Sequence, residues 1–190
     1  MADQHILVLG GARSGKSSFA LDLAKTLLNG AGHTGRKGLF IATAQALDQE
    51  MEERISAHKR QRGVEWLTVE EPLLIYEAVK NADDSLPVIL IDCLTMWLSN
   101  MLLTNRVDMH KEIEKLVNTL IHRSSPVIMV SNEVGMGLVP ESPLGRRFRD
   151  IQGQLNQRMA SLCATVIFVA AGLPLALKGT IPHFNLSRNL

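Results

Sequence analysis

Cysteine is scarce in this 190-residue chain, with only Cys93 and Cys163. They form no C-x-x-C pair and each lies beside apolar stretches. A disulfide framework is therefore excluded, and buried, inert thiols in a reducing compartment are expected. An excess of charge of one sign is missing too: 20 Lys+Arg stand against 19 Asp+Glu, leaving a net charge of +1 without a basic tail or stripe. Without that electrostatic footprint, nucleic acid is not expected as a partner. The start, Met-Ala-Asp-Gln-His, has no basic n-region and only four strongly apolar residues before a Gly-Gly turn. No secretory signal is read there, and the cytoplasm is the expected compartment. Residues 159–177 carry no formal charge, yet Ser161, Thr165, Gly172 and Pro174 interrupt them. They read as a helix end, a strand and a turn, short of the roughly 20 apolar residues that a membrane span needs. No histidine has a Cys or carboxylate partner at metal-ligand spacing, so a zinc site is not expected.

The length allows one sizeable core, so residues 1–190 are expected to form a single domain. Hydrophobic residues make up 46% of it, ordinary for a globular enzyme. Short apolar runs alternate with helical patterns: Ile6–Leu9, Leu39–Thr43, Val64–Val69, Val88–Asp92, Val127–Val130 and Thr165–Ala170. That alternation predicts an α/β protein with a mainly parallel central sheet covered on both faces. Val64–Val69 alternates in polarity and is expected at a sheet edge. Met109, Ile113, Leu116, Val117, Leu120 and Ile121 form one helical stripe, and Leu144, Phe148, Ile151, Leu155, Met159 and Leu162 another. Residues 29–37, with Gly30, Gly32 and Gly35, read as a surface loop. A second connection, residues 131–149, contains Gly135, Gly137, Pro140 and Pro143 and delivers Arg146, Arg147 and Arg149. It leaves a strand's carboxyl end, where open α/β sheets bind ligands.

The most informative segment is Gly10, Gly11, Ala12, Arg13, Ser14, Gly15, Lys16 and Ser17, a complete G-x-x-x-x-G-K-S phosphate-binding loop. An apolar strand precedes it, and a helix with Phe19, Ala20, Leu23, Ala24, Leu27 and Leu28 on one face follows. The glycines let backbone N–H groups turn inward toward phosphate oxygens, and the helix N-terminus adds its dipole. Lys16 is expected to reach the β/γ-phosphates and Ser17 to hold Mg²⁺. Val88-Ile89-Leu90-Ile91-Asp92 has the matching Walker B form, with Asp92 as the metal-side carboxylate. The sheet is thus expected to be of the three-layer P-loop NTPase type. Residues 47–63 read as a helix capped by Asp48 and stopped by Gly63, with Met51, Ile55, His58 and Arg62 on one face. On spacing alone a lone histidine such as His58 is more often a satisfied core or rim residue than a nucleophile. The cations around it disfavour imidazole protonation and attract phosphate.

Taken together, Gly10 to Ser17, Ile41-Ala42-Thr43, Asp48 to Lys59, Asn132-Glu-Val-Gly-Met-Gly137, and Phe148-Arg-Asp150 running into Asn156-Gln-Arg158 resemble the bifunctional adenosylcobinamide kinase / adenosylcobinamide-phosphate guanylyltransferase family of cobalamin biosynthesis. The resemblance implies two reactions. ATP or GTP phosphorylates the corrinoid's aminopropanol hydroxyl, and GMP then passes from GTP to that phosphate through a guanylylated histidine. It assigns the histidine to His58 and, with Lys16, makes these the catalytic residues. Nucleotide contacts are implied at Gly10 through Ser17, Ala42, Thr43, Ala44, Lys59, Arg60, Gln61, Arg62, Glu70 and Asp92; Glu70 is singled out by the resemblance alone. A homotrimer is implied as well. The rivals are a P-loop small-molecule kinase without a covalent intermediate, and a GTP-binding regulatory switch. The switch would lack its usual Asn-Lys-x-Asp guanine-reading motif.

Overall fold

A computed structural model describes residues 4–30, 35–46, 48–104 and 107–182, apart from the side chains of Arg54, Ala57, His58 and Gln61. Along the chain run β1 (Ile6–Gly10), α1 (Lys16–Leu28), β2 (Gly38–Ala42), α2 (Gln49–Gln61), β3 (Trp66–Glu70), α3 (Ile75–Lys80) and β4 (Ile89–Asp92). Then follow α4 (Leu94–Thr104), α5 (Met109–His122), β5 (Val127–Asn132), α6 (Pro143–Leu162), β6 (Thr165–Ala170) and β7 (Leu173–Lys178). The strands form one sheet in the order β3-β2-β4-β5-β1-β6-β7, all parallel except β7.

Why the sheet is central is visible in its composition. β1 and β2 are buried at every position, as strands covered on both faces must be. Alternate residues feed two cores. Val8, Phe40, Leu90 and Ile128 meet Phe19, Leu23 and Ala24 of α1 on one face. Leu7, Ile41, Ile91 and Met129 meet Trp97, Leu116, Leu155 and Met159 of α4, α5 and α6 on the other. The expected edge strand is indeed an edge, β3, of which only Trp66 is buried. Its register is held by Gly38, where a Cβ would stand 2.5 Å from the Trp66 ring.

Three differences from the sequence reading have physical reasons. The antiparallel strand β7 replaces the turn expected near residue 174. Pro174 is tolerable there because β7 is an edge strand, and Leu173, Leu175 and Leu177 stay exposed. Ile121 and Leu144 leave their predicted stripes and are exposed. The buried face of α6 includes Gln152 and Asn156, bonded to each other and to Ser131 of β5. Finally, α6 starts at Pro143 with Ser142 as its cap, so Arg146, Arg147 and Arg149 lie on a helix rather than in a loop. Within the 29–37 loop, residues 31–34 lie outside the described ones. No helix among the described residues is long and apolar enough to cross a membrane.

His5, just before β1, is fully buried. Its Nδ1 accepts from the Val127 N–H at 3.1 Å, which leaves Nε2–H to donate to the Leu120 carbonyl at 2.8 Å. The ring is therefore neutral, and burial lowers its pKa below 6.5, with the nearby Arg123 charge acting the same way and the Leu120 bond opposing them. The unfolded chain takes up a proton here more readily than the folded one. The bonus of the neutral ring is complete above the unfolded value near 6.5 and is lost as pH falls through the lowered folded value. Thermal unfolding between pH 7.5 and 5 should show a fall in Tm on acidification that is smaller in His5→Gln. An equal fall in both proteins would remove His5 as the cause.

Candidate nucleotide-binding and transfer site

The site begins where β1 runs out. A Cβ on Gly10 would sit 2.5 Å from both the Val169 carbonyl and the Ser14 hydroxyl, so only hydrogen fits. The chain then curls: Ser14 N–H donates to Gly11 O at 3.3 Å, Arg13 adopts φ 55° and Gly15 φ 91°, and α1 starts at Lys16. From outside, the Gly172 N–H in the β6–β7 turn donates to Ser14 O at 2.8 Å and buttresses the curl. The N-terminus of a thirteen-residue helix therefore opens onto a cradle of backbone N–H groups, an arrangement that favours anions.

Lys16 is only 8% exposed, and its ammonium reaches back to Gly11 O at 3.0 Å. Burial pulls its pKa below the ordinary lysine value, while the neighbouring Cys93 and Asp92 side chains work the other way. A buried cation bonded to a carbonyl rather than a carboxylate is one that an arriving polyphosphate would relieve. The Ser17 hydroxyl donates to Asp92 Oδ1 at 3.3 Å. These two hard oxygen donors beside a phosphate cradle fit Mg²⁺, which takes few protein ligands and fills its shell with water and substrate oxygens. Among the described residues no group of three or more His, Cys, Asp or Glu is gathered as a metal site.

Behind this cradle lies a cleft of about 570 Å³. Ala12 through Ser17, Ala42, Ala44, Arg62, Glu70 and Asp92 line it, so the structure brings these predicted residues together. Thr43 is fully buried instead: its hydroxyl donates to Cys93 O at 2.7 Å and accepts from Cys93 N at 2.8 Å. It joins the ends of β2 and β4 and so fixes the backbone beside Asp92. Lys59 and Arg60 are exposed; Lys59 pairs with Glu70 at 2.5 Å and, with Arg62, Gly63 and Thr68, borders a second hollow of about 390 Å³. Gln61 and His58 lie on α2, their side chains outside the described ones. Met51 and Ile55 on the same helix line the main cleft.

Arg62 links the two hollows. Its guanidinium carbon lies 3.7 Å from the Phe40 ring centroid, and its Nε and Nη1 are buried without a hydrogen-bond partner. Burial lowers its pKa, with Asp92 and then Glu70 acting in the opposite direction. Stacking fixes the planar fork while leaving N–H donors for an anion.

The cleft also contains residues the motifs did not assign. Cys93 and Met96 line it, and burial pushes the Cys93 thiol up to about 12, so it is no nucleophile. Asn132, at the end of β5, lines it as well. Its backbone is held on both sides, by Thr95 Oγ1 at 2.7 Å and Asn156 Nδ2 at 3.0 Å, yet its Oδ1 is buried with no partner. The signal was present in the Asn132-Glu-Val-Gly-Met-Gly137 run, but only the fold shows that its first residue reaches the cleft. The long connection after β5 adjoins the phosphate loop, since Glu133 N–H donates to Gly10 O at 3.1 Å. Arg146 and Arg149 hold that connection through the carbonyls of Pro140, Glu141 and Gly135.

A mainly parallel sheet carrying a Walker A loop, a strand-end aspartate and a basic, aromatic-backed cleft defines a P-loop protein that handles nucleoside phosphates. The family described as cobinamide kinase / cobinamide phosphate guanyltransferase matches residues 6–177, and the chain belongs to that family. It is 43% identical over 176 residues to the bifunctional adenosylcobalamin biosynthesis protein CobP of Pseudomonas aeruginosa, covering 91% of this chain and 96% of that one. Identity to the corresponding CobU proteins is 36% for both Escherichia coli, over 187 residues, and Salmonella typhimurium, over 192, each with 91% of this chain and 99% of the relative aligned. A KaiC-like protein from Pyrococcus horikoshii superposes over 87% of this chain and 70% of its own at 18% identity, with a TM-score of 0.44.

Proposed function

We propose that this chain catalyses both steps of its family's chemistry in the cytoplasm, as a homotrimer. In the first, ATP or GTP gives its γ-phosphoryl group to the aminopropanol hydroxyl of adenosylcobinamide. In the second, GTP gives GMP to the phosphate so formed, yielding adenosylcobinamide-GDP. The observation that carries this reading is one cleft lined both by the phosphate cradle that follows β1 and by Arg62 and Glu70 at the β3 edge of the sheet. A triphosphate can be gripped there while either its γ- or its α-phosphorus is presented. Lys16 and the α1 N-terminus neutralise the charge on the oxygens, and Arg62 offers unpaired donors. Ser17 and Asp92 would hold Mg²⁺, whose contribution is to screen phosphate charge.

For the second step, a nitrogen of the His58 imidazole forms a P–N bond to the α-phosphorus as the bond to the bridging β-oxygen breaks and pyrophosphate leaves. An oxygen of the corrinoid phosphate then attacks that phosphorus, breaking the P–N bond and restoring the ring. Incubation with Mg²⁺ and GTP labelled at the α- or the γ-phosphate tests this. Only the α-label should stay on the alkali-quenched chain, be lost in acid, and move to adenosylcobinamide phosphate on addition. Turnover without any labelled chain would favour a plain P-loop kinase; nucleotide binding without turnover would favour a switch.

A further inference from the structure

We propose that the connection between β5 and α6, residues 133–142, is the seat of the corrinoid macrocycle, with Met136, Leu138 and Val139 as its apolar contacts. The inference rests on the acceptor being a cobinamide, as read above.

Size comes first. A cleft of about 570 Å³ is of the volume that encloses one ligand of nucleotide size. A corrin ring with its amide arms cannot share it with a triphosphate, so the ring must lie outside the mouth while its aminopropanol arm reaches in. Position comes next. In the sheet register Asn132 stands opposite Gly10, Asn132 lines the cleft, and Glu133 N–H is bonded to Gly10 O. The connection therefore leaves the cleft at its phosphate end, where the acceptor hydroxyl has to arrive.

The surface offered there has the right chemistry for a flat apolar ring. Met136 is 79% exposed, Leu138 97% and Val139 67%. One exposed leucine is ordinary; three large apolar side chains within four residues, contributing nothing to either core, are not. Their backbone is also pinned. The Glu133 carboxylate accepts from Gly135 N–H at 2.8 Å, the Arg149 guanidinium donates to Gly135 O at 2.6 Å, and Arg146 donates to the carbonyls of residues 140 and 141. A platform ordered before the ligand comes loses less entropy on binding.

The test is the double variant Met136→Ser/Leu138→Ser, with Val64→Ser as control. Val64 is 91% exposed too, but precedes β3 at the opposite rim of the sheet. Kinase rates would be measured against adenosylcobinamide at saturating triphosphate, together with GTP affinity, Tm and sedimentation. The double variant should raise the KM for the corrinoid roughly tenfold or more while kcat at saturation, GTP affinity and Tm stay as in the wild type. Val64→Ser should change none of them. An unchanged corrinoid KM overturns the proposal. So does a raised KM accompanied by a changed sedimentation coefficient, which would show the patch to be covered by a second copy of the chain. A wild-type protein that phosphorylates no cobinamide overturns the functional reading itself, and the seat with it.

Discussion

Lys16→Met is expected to lower kcat/KM on the order of 10²–10³-fold in both transfers, with Tm unchanged or slightly raised. The two halves of that expectation share one cause. Lys16 is held almost out of water with a backbone carbonyl as its hydrogen-bond acceptor, and burial already weakens its hold on the proton. In the folded protein without substrate, that charge is a liability. Methionine has a similar length and no charge, so it fills the same space without the desolvation cost. On the proposed reading, a bound triphosphate brings the oxygens on which charge develops to this ammonium, and methionine supplies nothing there. Thermal unfolding with and without GTP separates the effects. The wild type should gain stability with GTP concentration as mass action requires, and the variant should gain little. A variant that keeps the full GTP-dependent shift and normal turnover would show that the first loop is not the phosphate cradle.

How much of this was legible in the residues depended on how local the determinant is. The turn between β1 and α1 is local: the spacing of Gly10, Gly15 and Lys16 predicts it, and the structure adds reasons, such as the Val169 carbonyl that denies Gly10 a Cβ. The strand that ends at Asp92 was legible because four apolar residues precede it, and the edge strand β3 because its polarity alternates. The strand β7 was not, because Leu173, Leu175 and Leu177 bury no face and Pro174 argues against a ladder in any place but an edge. The inner face of α6 was hidden for another reason. Gln152 and Asn156 break an apolar stripe, and their burial is tolerable because the Ser131 hydroxyl and the Asn132 carbonyl wait on β5, partners that helical periodicity cannot show. Thr43 sits where the resemblance implies a nucleotide contact, yet its hydroxyl is spent on the Cys93 backbone. Conversely, the buried, unpartnered oxygen of Asn132 exists only once the strand ends are assembled.

His58→Ala is expected to abolish the α-labelled adduct and to lower guanylyl transfer on the order of 10⁴-fold or more, the scale seen when a covalent nucleophile is removed. Kinase activity should persist, because on the proposed reading the γ-phosphoryl transfer draws on Lys16, Ser17 and Asp92 and not on the imidazole. The helix brings Met51 and Ile55 to the cleft, and Arg62 follows at its end; His58 lies three residues after Ile55 and four before Arg62. The cations of Lys59, Arg60 and Arg62, which follow it in the sequence, attract anions. Removing the ring leaves that electrostatic setting intact, so GTP should still bind. His110→Ala and His122→Ala, on exposed positions of α5, should keep the label. Stereochemistry gives an independent readout. Two in-line displacements through a histidine intermediate retain configuration at an α-thio-substituted phosphorus, whereas direct attack by the corrinoid phosphate inverts it. Inversion, or a His58→Ala protein that still transfers GMP at the wild-type rate, would mean that the imidazole is never bonded to phosphorus.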